Sequence, residues 1–471
     1  MLPYAILYHK FEEGKKKYIM QDNRKELLEM SMGKLFMKLA IPSMIGMMVI
    51  GLYNMVDAIF VGRFVSAEGV GAIVVAYNII ALNFAVAMLL ATGAMSALSR
   101  AIGEKDEETT NKLFGNVLIC TSVLSILLTI LVYNFAGPML HFLGAKEEIL
   151  ALGTRYLKII CLGFIFSSLG PALNFLIRGE GKMKSAMKIM ILGMVINIIL
   201  DPILIKTFGM GIEGAALATI IAQMFVLIGD IIYFKSDKSV IKISKESFKV
   251  SFDIMPKILS VGISGMVMQI MPAIQMSLMF KILSSYGNNS IVLMSVSYRV
   301  MTFAFVSLWG IAQGVQPIMG ANYGANQLER VKRACLSFTR ISTVIAGVLW
   351  ISFMIFPKAI LGWFITDESL VRLGIGHFRI FLSIFLLYGF MAMIIGFFQA
   401  IGKGGKAALL VGGRQILFFI PIILLLPHFI GETGAWLAMP LGDLLTIILS
   451  IFFIIREFAD INKEIEVEKR V

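Results

Sequence analysis

Charge is scarce in this chain. Of its 471 residues only 15% are Asp, Glu, Lys or Arg, against about a quarter in soluble domains. The three soluble domains that length alone suggests are excluded by that shortage. Cysteine is scarce as well. Cys120, Cys161 and Cys335 lie in or beside apolar segments, with no CxxC and no Cys/His spacing. Neither a disulfide framework nor a metal site is indicated. The four histidines are scattered. No Ser/His/Asp constellation supports covalent catalysis, so an enzyme is not expected. Gly181–Lys182 and Gly402–Gly405 lack the preceding strand and the GK[ST] ending of a phosphate loop. With no ATP-binding domain, energy for any work has to come from an ion gradient. The first thirty residues lack the apolar core of a signal peptide and read as a cytoplasmic tail, with Met1, Met20 or Met30 as the start.

What is present is apolar. Hydrophobic residues make up 58% and the mean hydropathy is +0.85. Runs of ~20 apolar residues recur along the whole chain, each long enough to cross a bilayer. Twelve spans are expected, at about 34–62, 69–99, 113–137, 151–178, 184–207, 211–235, 254–284, 290–320, 333–357, 371–400, 404–428 and 432–456. The net charge of +12 is no nucleic-acid signature, because Lys and Arg concentrate in alternate linkers. These are Arg100–Lys112, Arg178–Lys188, Lys235–Lys257, Gly324–Arg333 and Ile401–Lys406. The positive-inside rule then makes both termini cytoplasmic in a multi-pass protein of the cell membrane.

The two halves resemble each other. At offsets of 219 to 221 residues Gly46 pairs with Gly265, Tyr77 with Tyr298, Gly93 with Gly314 and Gly103 with Gly324. Gly181 pairs likewise with Gly402, Pro202 with Pro421 and Gly214 with Gly434. The expected fold is an all-α integral membrane protein, with two pseudo-symmetric six-helix lobes around a central cleft. Its parts are a tail (1–33), an N-lobe (34–235), a linker (236–253), a C-lobe (254–456) and a C-terminal tail (457–471). Parallel repeats of this kind build transporters with a cleft that opens alternately to each side.

Two acids stand inside apolar runs of the N-terminal half. Asp57 follows Tyr53 by one helical turn, and Asp201 follows Asn197 by one turn, so each pair shares a helix face. Pro202 removes a backbone donor beside Asp201. An ionised Asp at the centre of a membrane helix costs roughly 2.5–3.5 kcal/mol, so such residues are kept paired, hydrated or protonated. Asp57 lies six residues from Arg63 and Asp201 five from Lys206, which sets both at similar depth. At the equivalent C-terminal positions stand Met276 and Ile420. Carboxylate and amide oxygens at Asp57, Asn197 and Asp201 suit a small hard cation such as Na⁺. The same pair of acids could instead share a proton.

Residues Ile41–Pro42, Tyr53–Asp57 ahead of Phe60–Gly62, Arg178–Gly181, Asn197–Pro202 and Gly211–Ala216 carry a pattern. In their order, spacing and duplication the chain resembles the multidrug and toxic compound extrusion (MATE) transporters, over about residues 25 to 455. Its tail is similar to that of the bacterial branch related to the staphylococcal multidrug export protein. The resemblance implies an antiporter that expels organic cations and other amphipathic drugs while H⁺ or Na⁺ runs inward. It uses no cofactor, binds no nucleic acid, sits in a lipid bilayer and works as a monomer. The implied ion-coupling cluster is Tyr53, Asp57, Asn174, Asn197, Asp201 and Thr219, with a bend of the first helix at Pro42. Another branch carries acids in helices 7 and 10, where this chain has only Gln269, Gln275 and Gln399. The expected cleft residues are Gln269, Gln275, Met276 and Arg299.

Asp230 and Asp443 read as structural acids near the cytoplasmic ends of helices 6 and 12, or on contacts between the lobes. The 31 methionines suit an adaptable drug surface but also serve as core. A lipid-linked oligosaccharide flippase shares the architecture. Its pyrophosphate cargo calls for a cleft lined by Arg or Lys, and Arg299 is the lone candidate.

Overall fold

The structure is a computed structural model that describes residue 14 and residues 18–51 and 67–469. Tyr53 and Asp57 lie outside the described residues. Among the described residues every regular element is helical. A short helix α1 (residues 18–29) leads into α2 (Met32–Gly51). Then come α3 (Ala67–Glu104), α4 (Glu107–Phe142), α5 (Glu147–Leu162), α6 (Phe164–Gly179), α7 (Met183–Thr207) and α8 (Gly211–Lys235). After the linker follow α9 (Met255–Leu283), α10 (Asn288–Gly324), α11 (Leu328–Ile355), α12 (Pro357–Gly362) and α13 (Glu368–Phe381). The chain closes with α14 (Tyr388–Ala400), α15 (Gly404–Ile430) and α16 (Glu432–Glu468).

Ten of these helices are individually long and apolar enough to cross a membrane. Helix pairs α5–α6 and α13–α14 are long and apolar enough only together, and counting each bent pair as one span brings the described residues to twelve. In lipid only helices or closed barrels satisfy their own backbone, so long apolar runs become helices here. Their outer faces are apolar: Val123, Ile126, Leu127 and Ile130 form an exposed stripe on α4, and Val344, Val348, Ile351 and Ile355 one on α11.

The fourth and tenth spans were expected to be single helices over 151–178 and 371–400. Each is broken, by 49° between α5 and α6 and by 41° between α13 and α14. At the first break Gly163 lies against Ile220 of α8, closer than any side chain would allow. At the second, the indole Nε1 of Trp350 donates to Ser383 O at 2.7 Å and satisfies a carbonyl next to the break. Three π-helical turns flank prolines: Phe36–Ala40 ahead of Pro42, Ile203–Thr207 after Pro202, and Arg414–Phe419 ahead of Pro421. Proline withholds one donor from the ladder, and the wider turn absorbs the mismatch.

Glycines paired by the repeat offset serve the same role in each lobe. Gly181 and Gly402 end equivalent helices at φ of +74° and +80°, a conformation that side chains disfavour. A Cβ on Gly214 would lie 2.8 Å from the Leu204 carbonyl carbon, and one on Gly434 2.7 Å from that of Leu426. Between lobes the pairing is reciprocal. Gly314 of α10 meets Ala40 of α2, where a Cβ would stand 2.7 Å from Cα, and Gly93 of α3 meets the Ile258 main chain of α9. Gly103 lies against Ala321 and Gly324 against Arg100, so α3 and α10 cross backbone to backbone.

Both described ends of the chain sit at this crossing end of the bundle. Lys469 pairs with Glu329 at 2.9 Å, and Arg24 Nε donates to Gly103 O at 2.9 Å. Ends on one side match an even number of spans.

Candidate functional site: three buried polar clusters

Against this apolar background the buried charges define three places. The first is in the N-lobe. Asp201 and Asn197 are each 1% exposed, on the face that α7 buries. Asn197 Nδ2 donates to Asp201 Oδ1 at 3.4 Å, across the single turn that separates them. Pro202 and the π-helical turn behind it open the backbone beside the acid. Thr219 is half-buried on α8, which packs along α7, and its hydroxyl donates to Ala215 O at 3.0 Å. Asp201, Asn197 and Thr219 all make further interactions.

Asn174 was grouped with that set by resemblance, and its described hydrogen bonds go elsewhere. Its Nδ2 donates to Ala186 O at 3.0 Å and to Asp230 Oδ1 at 3.1 Å, and its Oδ1 accepts from Arg178 Nε at 3.1 Å. Arg178 Nη1 then reaches across to the C-lobe and donates to Gln313 Oε1 at 2.5 Å. All four side chains are buried. This second cluster is a polar seam between the lobes. It continues where Ser96 Oγ donates to Gln399 O, Gln399 Nε2 donates to Ser264 Oγ at 2.9 Å, and Gln316 Nε2 donates to Gln399 Oε1 at 2.6 Å. The contact between lobes expected of Asp230 is therefore made through Asn174 and Arg178. Pro42 is half-buried in α2, two residues beyond a π-helical turn.

The third cluster is in the C-lobe. Asp443 is 1% exposed and held by Arg414, through Nε to Oδ1 and through Nη2 to Oδ2 at 3.0 Å. The Tyr388 hydroxyl donates to Asp443 Oδ2, and the guanidinium lies 5.7 Å over the Tyr388 ring. A fork of two parallel N–H donors on one carboxylate is the strong form of this pair. Asp443 is thus no end-of-helix acid. It stands eleven residues inside α16 and is compensated within the membrane. Beside it Gln415 Nε2 donates to Gln275 Oε1 at 2.9 Å, which commits Gln275 to an interhelical bond. Gln269 and Met276 are half-buried, and Arg299 is exposed.

Sequence reasoning used Arg178 only as part of the family pattern and passed over Gln313 and Arg414. A cation inside an apolar run is as costly as an acid, and Arg414 in the eleventh span carried that signal. Glu180 likewise entered only as part of that pattern. It lies just beyond α6, fully buried, and accepts from Tyr233 OH at 2.5 Å, Ser239 Oγ at 2.7 Å and Val240 N at 3.1 Å. Burial pushes its carboxyl above the usual carboxylate range, while the hydrogen bonds from Ser239, Tyr233, Ile241 and Val240 pull it back down. Among the described residues no group of three or more His, Cys, Asp or Glu could hold a metal ion.

The chain matches the MatE family model twice, over residues 42–203 and 264–425, one match in each lobe. It is 27% identical over 401 residues to the multidrug export protein MepA of Staphylococcus aureus, covering 85% of this chain and 88% of that protein. The crystal structure of a MATE transporter in complex with MaL6 is 26% identical, covers 93% of this chain and 99% of that one, and superposes with a TM-score of 0.88. The outward-facing conformation of a multidrug resistance MATE transporter of the MOP superfamily gives 0.87, at 26% identity and coverages of 93% and 98%. Two matched repeats, one in each half of a bundle of membrane-length apolar helices, agree: the chain belongs to the MatE family of membrane transporters.

Proposed function

We propose that this protein is a secondary active multidrug exporter of the cell membrane. It exchanges amphipathic, often cationic compounds for inward H⁺ or Na⁺ by alternating access between lobes 34–235 and 254–456. The carrying observation is the Asp201 carboxylate, buried with Asn197 in a membrane span of the N-lobe. A chain retains such a charge at depth for ion or substrate handling. Asp57, with Tyr53, completes the coupling set in this reading, and Thr219 supplies an oxygen from α8. The names of its relatives support the substrate class. A protein acting as a monomer suffices, since both lobes are in one chain.

Efflux measured in proteoliposomes tests the reading. Chemically unrelated cationic dyes should all be expelled when a pH or Na⁺ gradient is imposed, and with neither gradient efflux should stop. Efflux without Na⁺ under a pH gradient would identify protons as the coupling ion. Transport confined to one lipid-linked sugar, or indifferent to both gradients, would overturn the proposal.

The Lys/Arg-rich end is cytoplasmic in this reading. Cysteines introduced at Asn288 and Thr433 are expected to label from outside intact cells, and one at Ser236 is not. Labelling at 236 alone would invert the orientation.

A further inference from the structure

Within the segment expected to be a tail, the described helix α1 is built into the bundle. Asn23, Leu27 and Leu28 of α1 are buried. On the N-lobe side Asn23 Nδ2 donates to Glu180 O at 2.6 Å, Arg24 Nε donates to Gly103 O at 2.9 Å, and Leu27 packs against Gly181. The C-terminal end of α1 faces the other way. A helix leaves its last carbonyls without partners of its own. Here Leu27 O accepts from Asn322 Nδ2 at 3.1 Å, and Met30 O accepts from Arg330 Nη2. Both donors belong to the C-lobe. A cation at a helix C-terminus is also favoured by the helix dipole.

The linker after α8 is the counterpart of α1 in the repeat. It leads into the C-lobe yet docks on the N-lobe. Lys242 N and Ser251 N donate to Asn111 Oδ1 and Asn116 Oδ1 of α4, each at 2.8 Å, and Glu180 receives Ser239 and Val240. Each lobe's lead-in segment therefore crosses to the opposite lobe at the same end. The linker has to cross, being the covalent connection. Nothing in the connectivity requires it of α1.

We propose that α1 is a releasable clasp, which holds the lobes together at the end carrying both termini and must leave Asn322 and Arg330 before that end opens. The residues from Arg24 to Met30 bridge Gly103 on one lobe and Arg330 on the other. The lobes cannot part there without breaking one set of bonds. The inference rests on the alternating-access reading above.

The seam residue Ser96, 1% exposed and bonded to Gln399 O across the lobes, provides the reporter. In the full chain, with Cys120, Cys161 and Cys335 replaced by Ala, Ser96→Cys is reacted with a maleimide in lipid nanodiscs. Loss of one or two ordinary hydrogen bonds in Asn322→Ala/Arg330→Ala should speed labelling about tenfold. The pair Asn23→Ala/Arg24→Ala, which frees the other side, should do the same and decides the matter if the first pair misfolds. Arg330→Lys keeps a cation at the helix end and should stay within about twofold of the parent. If H⁺, Na⁺ or a dye substrate changes the parent's rate while neither double variant does, the clasp is overturned and alternating access stands. A rate that nothing changes overturns both.

Discussion

Asp201→Asn is expected to abolish active export, by well over tenfold in initial efflux rate, in a protein that is made and inserted normally. The substitution keeps the shape. The new Oδ1 can still accept from Asn197 Nδ2, now 3.4 Å from the carboxylate oxygen. What it removes is a charge at depth. An ionised Asp there costs roughly 2.5–3.5 kcal/mol on insertion scales, so losing it does not hinder assembly. Coupling is a different matter. A ligand shifts a conformational equilibrium only through its differential affinity for the two states. A cation or proton that no longer finds the carboxylate has no such handle. Efflux against a gradient, read beside monodispersity on size-exclusion chromatography, checks this. Wild-type efflux by a well-folded Asp201→Asn protein would remove Asp201 from the coupling set.

The second large effect is on stability. Arg414→Met should leave Asp443 buried with the Tyr388 hydroxyl and no cation. Breaking a buried pair by removing one partner costs about 3–5 kcal/mol, because the surviving charge stays uncompensated. A drop of about 10 °C in the thermal midpoint follows from that cost. The double variant Arg414→Met/Asp443→Leu removes both charges and should recover most of the loss, since replacing a whole buried pair by apolar groups is often neutral. A melting series on the two variants and Asp443→Leu closes the cycle. Equal midpoints for Arg414→Met and the parent would show that the pair contributes nothing to the fold.

The twelve spans and the duplication were legible because lipid imposes a simple rule on composition, and because equivalent glycines recur at a fixed offset. Asn197 and Asp201 were legible as a pair because four residues is one helical turn. The pairing of Arg414 with Asp443 was not, since it spans 29 residues and two helices. Periodicity gives no account of which helices touch. Asn174 shows the same limit: its partner Asp230 lies 56 residues away on another helix. The breaks at Gly163 and Ser383 come from contacts with α8 and with Trp350, and local propensity does not contain those neighbours. The segment holding α1 read as a cytoplasmic tail because its composition is polar and mixed in charge. Its buried face is short, formed by Met20, Asn23, Leu27 and Leu28, and the surface that buries it comes from residues beyond 100 and beyond 320 in the chain.

The crossings at Gly93, Gly103, Gly314 and Gly324 have a consequence for how this gene can drift. Each brings the main chain of one lobe against that of the other, with no room for a single methyl group. Every missense change at those codons adds at least one carbon, whatever the new residue's polarity. A saturation library should therefore show these four positions intolerant of every substitution, Ala included, under selection with any exported compound. The Met-rich interior, by contrast, should accept exchanges whose effects differ from one compound to the next. Resistance phenotypes would then evolve through residues that touch cargo, while the joint between lobes stays invariant.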